Sequence, residues 1–68
     1  MKYCTVIYWS EFDKAFLAEI PELAGCMADG KTKAKALQAV ERVQREWIET
    51  AKRLGRPIPE PKGRLVYA

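Results

Sequence analysis

From Thr32 to Gly55 the apolar residues Ala36, Leu37, Val40, Val43, Trp47, Ile48, Ala51 and Leu54 recur at steps of three and four. At about 100° per residue they share one face, with Arg42, Arg45, Glu46, Glu49 and Arg53 outside it. The spacing predicts one long amphipathic helix. A hydroxyl at Thr32 suits its N-terminus, and Gly55 suits the left-handed turn that closes a helix. Four i,i+4 pairs of opposite charge, Glu41–Arg45, Arg42–Glu46, Arg45–Glu49 and Glu49–Arg53, add local support. Such a helix is a rod of about 33 Å. In a chain of 68 residues, everything else must serve to cover its apolar stripe.

The segments around the helix read as strands. Tyr3 to Trp9 (YCTVIYW) is β-branched and aromatic, with Tyr3, Thr5, Ile7 and Trp9 on one side and Cys4, Val6 and Tyr8 on the other. Neither side is fully polar, which marks a central strand or one whose second face meets a partner. Ser10 to Lys14 reads as a hairpin loop and Ala15 to Ile20 as a second strand, stopped by Pro21. Glu22 to Gly25 reads as a turn and Cys26 to Ala28 as a short third strand before Asp29-Gly30. Prolines 57, 59 and 61 stiffen the connection after the helix, with Ile58 placed to pin it to the core. Arg64 to Tyr67 (RLVY) reads as a last strand. The expected fold is α+β in the order β-β-β-α-β. It is a four-stranded sheet, order 3-2-1-4, with the helix crossing over one face and the other face left open.

A core of this size supplies no more than roughly 3–5 kcal/mol, so small domains lean on disulfides, metals or a partner chain. Histidine is absent, and Cys4 and Cys26 form no CxxC pair, which argues against metal. A Cys4–Cys26 disulfide between neighbouring strands is geometrically possible; two half-buried thiols are the plainer reading. Association, as a homodimer or homotetramer, is then the expected extra support. No apolar run approaches the roughly 20 residues of a membrane span, and no signal-peptide pattern is visible, so the reading is a soluble, cytoplasmic protein. The net charge of +3 divides unevenly: residues 1–30 carry −3 and residues 31–68 carry +6. Two such halves invite two different contacts.

Few arrangements here could carry chemistry. Gly25 to Thr32 fits G-x-x-x-x-G-K-[ST], the phosphate-cradling loop, and lies between a strand and a helix as that mechanism demands. The chain has no room for the parallel sheet and magnesium-holding Asp strand that such sites use. We therefore read the segment as strand, turn and cap. Without histidine the catalytic triads are absent, and Ser10 is the only serine. Glu11, Asp13 and Glu19 have no spacing that argues for a magnesium cluster. Tyr3, Tyr8 and Trp9 could stack on bases, but the basic residues are not interleaved with them.

Ile20-Pro21-Glu22-Leu23-Ala24-Gly25-Cys26, followed by Gly30-Lys31-Thr32 and Ala36-Leu37, resembles the HicB family of antitoxins. The wider frame is similar to a short subgroup of that family: Tyr8-Trp9-Ser10-Glu11, Phe16 to Glu19, Trp47 to Ala51 and Pro57 to Pro61. The chain departs from the pattern at Ala24 (usually proline), Lys31 (aspartate) and Lys35 (a capping glutamate). Lysines 31, 33 and 35 make the helix start basic, beside the positive end of its dipole. The resemblance implies a partial RNase H-like domain without catalytic acids. It also implies that such a domain neutralises HicA, a small mRNA-cleaving toxin, by protein–protein contact, with no cofactor. Many members append a DNA-binding module; here Ala68 follows directly on the last expected strand, and we expect a single domain, 1–68, without it and without sequence-specific DNA binding.

A toxin that grips RNA must present positive charge, which a blocking protein meets with acids. Those available in the front half are Glu11, Asp13, Glu22 and Asp29, with Trp9 and Phe12 as apolar anchors. The rival readings are a small oligomeric nucleic-acid-binding module, a nucleotide-binding protein using Gly25 to Thr32, and a toxin-less family member of structural or regulatory role.

Overall fold

In the computed structural model, which describes residues 3–60, helix α1 spans Lys33–Leu54 between the two caps that the pattern predicts. Thr32 is extended and its Oγ1 accepts the Lys35 N–H at 3.1 Å. Gly55 takes the left-handed conformation (φ 69°), and the N–H groups of Gly55 and Arg56 close the last turn on the carbonyls of Lys52 and Ala51. Ala36, Val40 and Ala51 are buried, and Val43, Trp47 and Ile48 pack against the core. The stripe is narrower and shorter than its spelling: Leu37 (38% exposed) lies on its flank, and Leu54 (58%) lies beyond its end. The cause is length. A helix of about 33 Å overhangs strands of four or five residues, each about 17 Å or less. The four i,i+4 charge pairs do not close; among the described residues the ion pair is Lys14–Glu11. Ordering two long exposed side chains cancels most of what such a pair contributes.

Three strands, β1 (Val6–Ser10), β2 (Ala15–Glu19) and β3 (Met27–Gly30), form an antiparallel sheet in the order β1-β2-β3. Ile7, Ala18 and Ala28 form one cross-strand row toward the helix, and Tyr8, Leu17 and Asp29 form the next row on the opposite face. The architecture is α+β, with α1 on one face. Of the expected order 3-2-1-4, the part 3-2-1 is present; the fourth strand falls on residues 64–67, outside the described residues.

Two strand boundaries differ from the expectation. β1 begins at Val6 rather than Tyr3, because its partner β2 ends opposite it at Glu19 and the chain then turns away. The Cys4 N–H is taken instead by Glu22 Oε1 at 3.2 Å. β3 runs Met27–Gly30 rather than Cys26 to Ala28, since the Cys26 N–H closes the turn on the Leu23 carbonyl, and Gly30 pairs with Phe16.

That turn is a knot of backbone bonds: Ile20 N–H to Cys26 O, Leu23 N–H to Ile20 O and Cys26 N–H to Leu23 O, each 3.0 Å. It delivers Ile20, Leu23 and Cys26 into a core shared with Tyr3, Ala18, Ala36 and Val40. Both cysteines are free thiols, Cys26 buried and Cys4 half-buried, and burial pushes the Cys26 thiol above its ordinary pKa. Ile58 is half-buried, and the Tyr3 hydroxyl donates to the Pro59 carbonyl, so the segment after the helix returns to the start of the sheet.

Candidate functional site

The hairpin between β1 and β2 turns through Glu11–Lys14, with Lys14 in the left-handed region (φ 53°). Its polar side chains bond to one another. Ser10 Oγ donates to Asp13 Oδ2 at 2.8 Å and accepts the Asp13 N–H at 3.2 Å. Glu11 accepts from Trp9 Nε1 at 2.6 Å and from Lys14 Nζ at 2.5 Å. Those two bonds, that of Lys14 first, hold the Glu11 carboxyl below its usual pKa. The loop is thereby acidic and stiff, and Phe12 stands at its tip 96% exposed.

Trp9 lies on the helix side of the sheet, edge-on to Phe16 (ring centroids 5.1 Å apart, 72° between planes), yet is 47% exposed. Lys33 Nζ sits 5.9 Å from the centre of the Phe16 ring. Trp9, Glu11, Phe12 and Asp13 thus form one surface at the hairpin end.

The other two expected contact residues are elsewhere. Glu22 belongs to the turn at the opposite end of the sheet, where it ties down the Cys4 backbone. Asp29 is exposed on the face away from α1, in a row with Leu17 and Tyr8. Six residues expected as a group are therefore four in one place and two apart.

The face away from α1 carries Val6, Tyr8, Leu17 and Met27, with Glu19 and Asp29 beside them. A second feature was not anticipated. Val43, Glu46, Trp47, Thr50, Ala51 and Arg56 line an open groove of about 300 Å³ along the second half of α1. Trp47, expected in the core, is half-buried there and donates its Nε1–H to the Ala24 carbonyl at 2.9 Å. Arg56 reaches the groove only because Gly55 reverses the chain, which helical spacing does not reveal.

Two relatives place the chain in a family. The UPF0150 protein Ta0767 of Thermoplasma acidophilum is 39% identical over 59 residues, covering 87% of this chain and 84% of that one. The UPF0150 protein ssl0259 of Synechocystis is likewise 39% identical over 59 residues, covering 87% of this chain and 80% of its own. The chain belongs to the UPF0150 family. No family model matches it, and no solved structure does.

In this UPF0150 chain the phosphate-loop pattern is built as strand and cap. Met27–Gly30 is hydrogen-bonded to β2, so its backbone is not curled around a vacant centre, and Thr32 spends its hydroxyl on Lys35 N–H. Gly30 is there for space. A Cβ on it would come within 2.4 Å of Ala36 N and 2.7 Å of Lys35 C. Magnesium with ATP or GTP is expected to leave the melting temperature unchanged, and Lys31→Ala to be within about 0.5 kcal/mol of neutral. A nucleotide-dependent rise abolished by Lys31→Ala in a thermal scan would overturn that assignment. No helix of the described residues is long and apolar enough to cross a membrane.

Proposed function

We propose that this UPF0150 chain is a non-enzymatic, HicB-like antitoxin domain of the cytoplasm. It holds a HicA-type, mRNA-cleaving toxin by protein–protein contact and covers the toxin's RNA-binding surface. The four-stranded, partial RNase H-like architecture belongs to the same proposal.

The observation that carries this reading is the hairpin: an acidic, internally bonded loop that presents Phe12 almost wholly to solvent beside Trp9. A bare aromatic ring at a loop tip contributes nothing to this domain's own core, and it is the kind of anchor that protein interfaces bury. Because the loop is already ordered by its own bonds, less conformational entropy is lost on binding. The acids at positions 11 and 13 suit a partner whose surface is positive because it grips RNA.

The test is co-expression with the toxin. Glu11→Lys with Asp13→Lys is expected to slow association about tenfold or more and to weaken growth rescue, with an unchanged circular dichroism spectrum. Reversing Arg42 and Arg53 on the outer helix face is expected to matter far less. Tight, RNA-protective binding by the hairpin double mutant, with failure of the helix mutant, would show that the contact lies on the helix instead.

A further inference from the structure

Basic and aromatic residues that are apart in the sequence meet at one corner of the fold. Trp9 pairs with Phe16 and Phe16 with Gly30, two residues on from Ile7, Ala18 and Ala28, so these three form the last row on the helix side of the sheet. The first turn of α1 closes over the Gly30 end of that row, where a methyl would meet Lys35 Cβ at 2.9 Å. The other end stays open: Phe16 is half-buried and Trp9 is exposed. Trp9 is nonetheless held, with its ring edge-on to Phe16 and its Nε1–H donated to Glu11. The result is an aromatic shelf of fixed orientation that faces solvent.

The same corner is cationic. Lys31, Lys33 and Lys35 are exposed, the first turn of α1 holds no acid, and none of the three is ion-paired among the described residues. Lys33 Nζ lies 5.9 Å from the centre of the Phe16 ring, so charge and ring share one spot. Three like charges beside the positive end of the helix dipole repel one another in the free domain, and a bound anion relieves that repulsion. The N–H groups of Lys35 and Ala36 are already bonded to Thr32, which leaves the lysine ammonium groups to meet the anion. Of the nearby acids, Glu11 is paired with Lys14 at 2.5 Å, and Asp13 is the opposing charge.

We infer that this corner binds single-stranded nucleic acid, with an unstacked base on Trp9 and the adjoining phosphates on Lys31, Lys33 and Lys35. A polyanion without rings would use the lysines and leave the shelf bare. A strand of bases and phosphates uses both, and, because every base has a face to stack, it is bound without sequence preference. A duplex cannot offer the base, which is stacked and paired inside it. Nothing in this surface depends on a toxin. The lysines and rings are the chain's own, and the experiment uses the chain alone.

Fluorescence anisotropy of a labelled oligo-dT or oligo-U of eight nucleotides, titrated with the full chain at low salt, is expected to show binding of both. Log K should fall against log salt with a slope of about −2, as three single-strand phosphate contacts give. Lys33→Glu is expected to weaken binding at least about tenfold, whereas Arg45→Glu, the same change of net charge on the outer helix face, should stay within about twofold. Trp9→Leu is expected to weaken it about tenfold at an unchanged salt slope and circular dichroism spectrum, and Trp9→Phe, which keeps a ring, to retain most of it. Asp13→Asn separates this surface from the toxin contact, since losing that acid should tighten a strand about twofold and weaken hold on a positive protein. Four results would overturn the proposal: no binding by the wild-type chain, a Trp9→Leu variant that binds as well as wild type, inorganic polyphosphate that competes as well as unlabelled oligo-dT, or Arg45→Glu as damaging as Lys33→Glu.

Discussion

Gly30→Ala is expected to destabilise this domain by about 3 kcal/mol or more, enough to leave much of the chain unfolded at room temperature. The added methyl would lie 2.4 Å from Ala36 N, 2.7 Å from Lys35 C and 2.9 Å from Lys35 Cβ. Two of those atoms are backbone, in the first turn of α1. That turn cannot yield cheaply, since Ala36 N–H is bonded to the Thr32 carbonyl at 2.9 Å and Lys35 N–H to the Thr32 hydroxyl. To admit the methyl the helix must lift from β3, exposing Ala36 and Val40, which are now fully buried. Urea titration followed by tryptophan fluorescence would measure the loss. A cost under 1 kcal/mol would mean that the helix start slides along the strand without losing its packing.

Leu23→Ala is expected to cost about 2–5 kcal/mol, again comparable with the total stability of so small a domain. Leu23 is 1% exposed and, with Ile20 and Val40, is among the largest fully buried side chains. It sits in a turn, where a polar residue is the usual choice, because three backbone bonds fold that turn back over the core. The backbone of Ile20 and Cys26 is held by the same bonds, which limits how far the turn can collapse into the space left behind. The midpoint of a denaturant transition is the measurement. The contrast is Ala24 beside it, exposed, whose carbonyl rather than its side chain is used, by Trp47. A near-neutral Leu23→Ala would mean that the turn is an attachment to the fold and not part of its core.

The two predictions bear on what the Ile20 to Cys26 stretch is for. As sequence it is the stretch on which the resemblance to the HicB family begins, and such a motif invites assignment as a binding site. Its geometry accounts for most of it as architecture: Ile20, Leu23 and Cys26 fill the core, Glu22 fastens Cys4, and Gly25 supplies a left-handed residue (φ 78°). The surface proposed for a partner is the hairpin, whose residues carry weaker signals as letters.

The site was only partly readable for a related reason. Trp9, Glu11, Phe12 and Asp13 are neighbours in sequence, so any hairpin brings them together. Asp29 was separated from them by the pleat, which aims alternate side chains at opposite faces, and Glu22 by the length of β2. The groove on α1 escaped notice because it needs Gly55 to turn Arg56 back beside Trp47.

By itself the sequence determined what depends on neighbours within a few residues: the helix and both its caps, the existence of the three strands, and the turns between them. Helical periodicity and capping are local interactions, so Thr32 and Gly55 could be named from spelling alone. Tertiary structure decided where β1 and β3 begin, which apolar helix residues are covered, and which acids share a surface. Each of these depends on a partner distant in the chain. β1 starts where β2 can pair with it, Leu54 is bare because the strands are shorter than the helix, and Gly30 is required by the helix that packs on it.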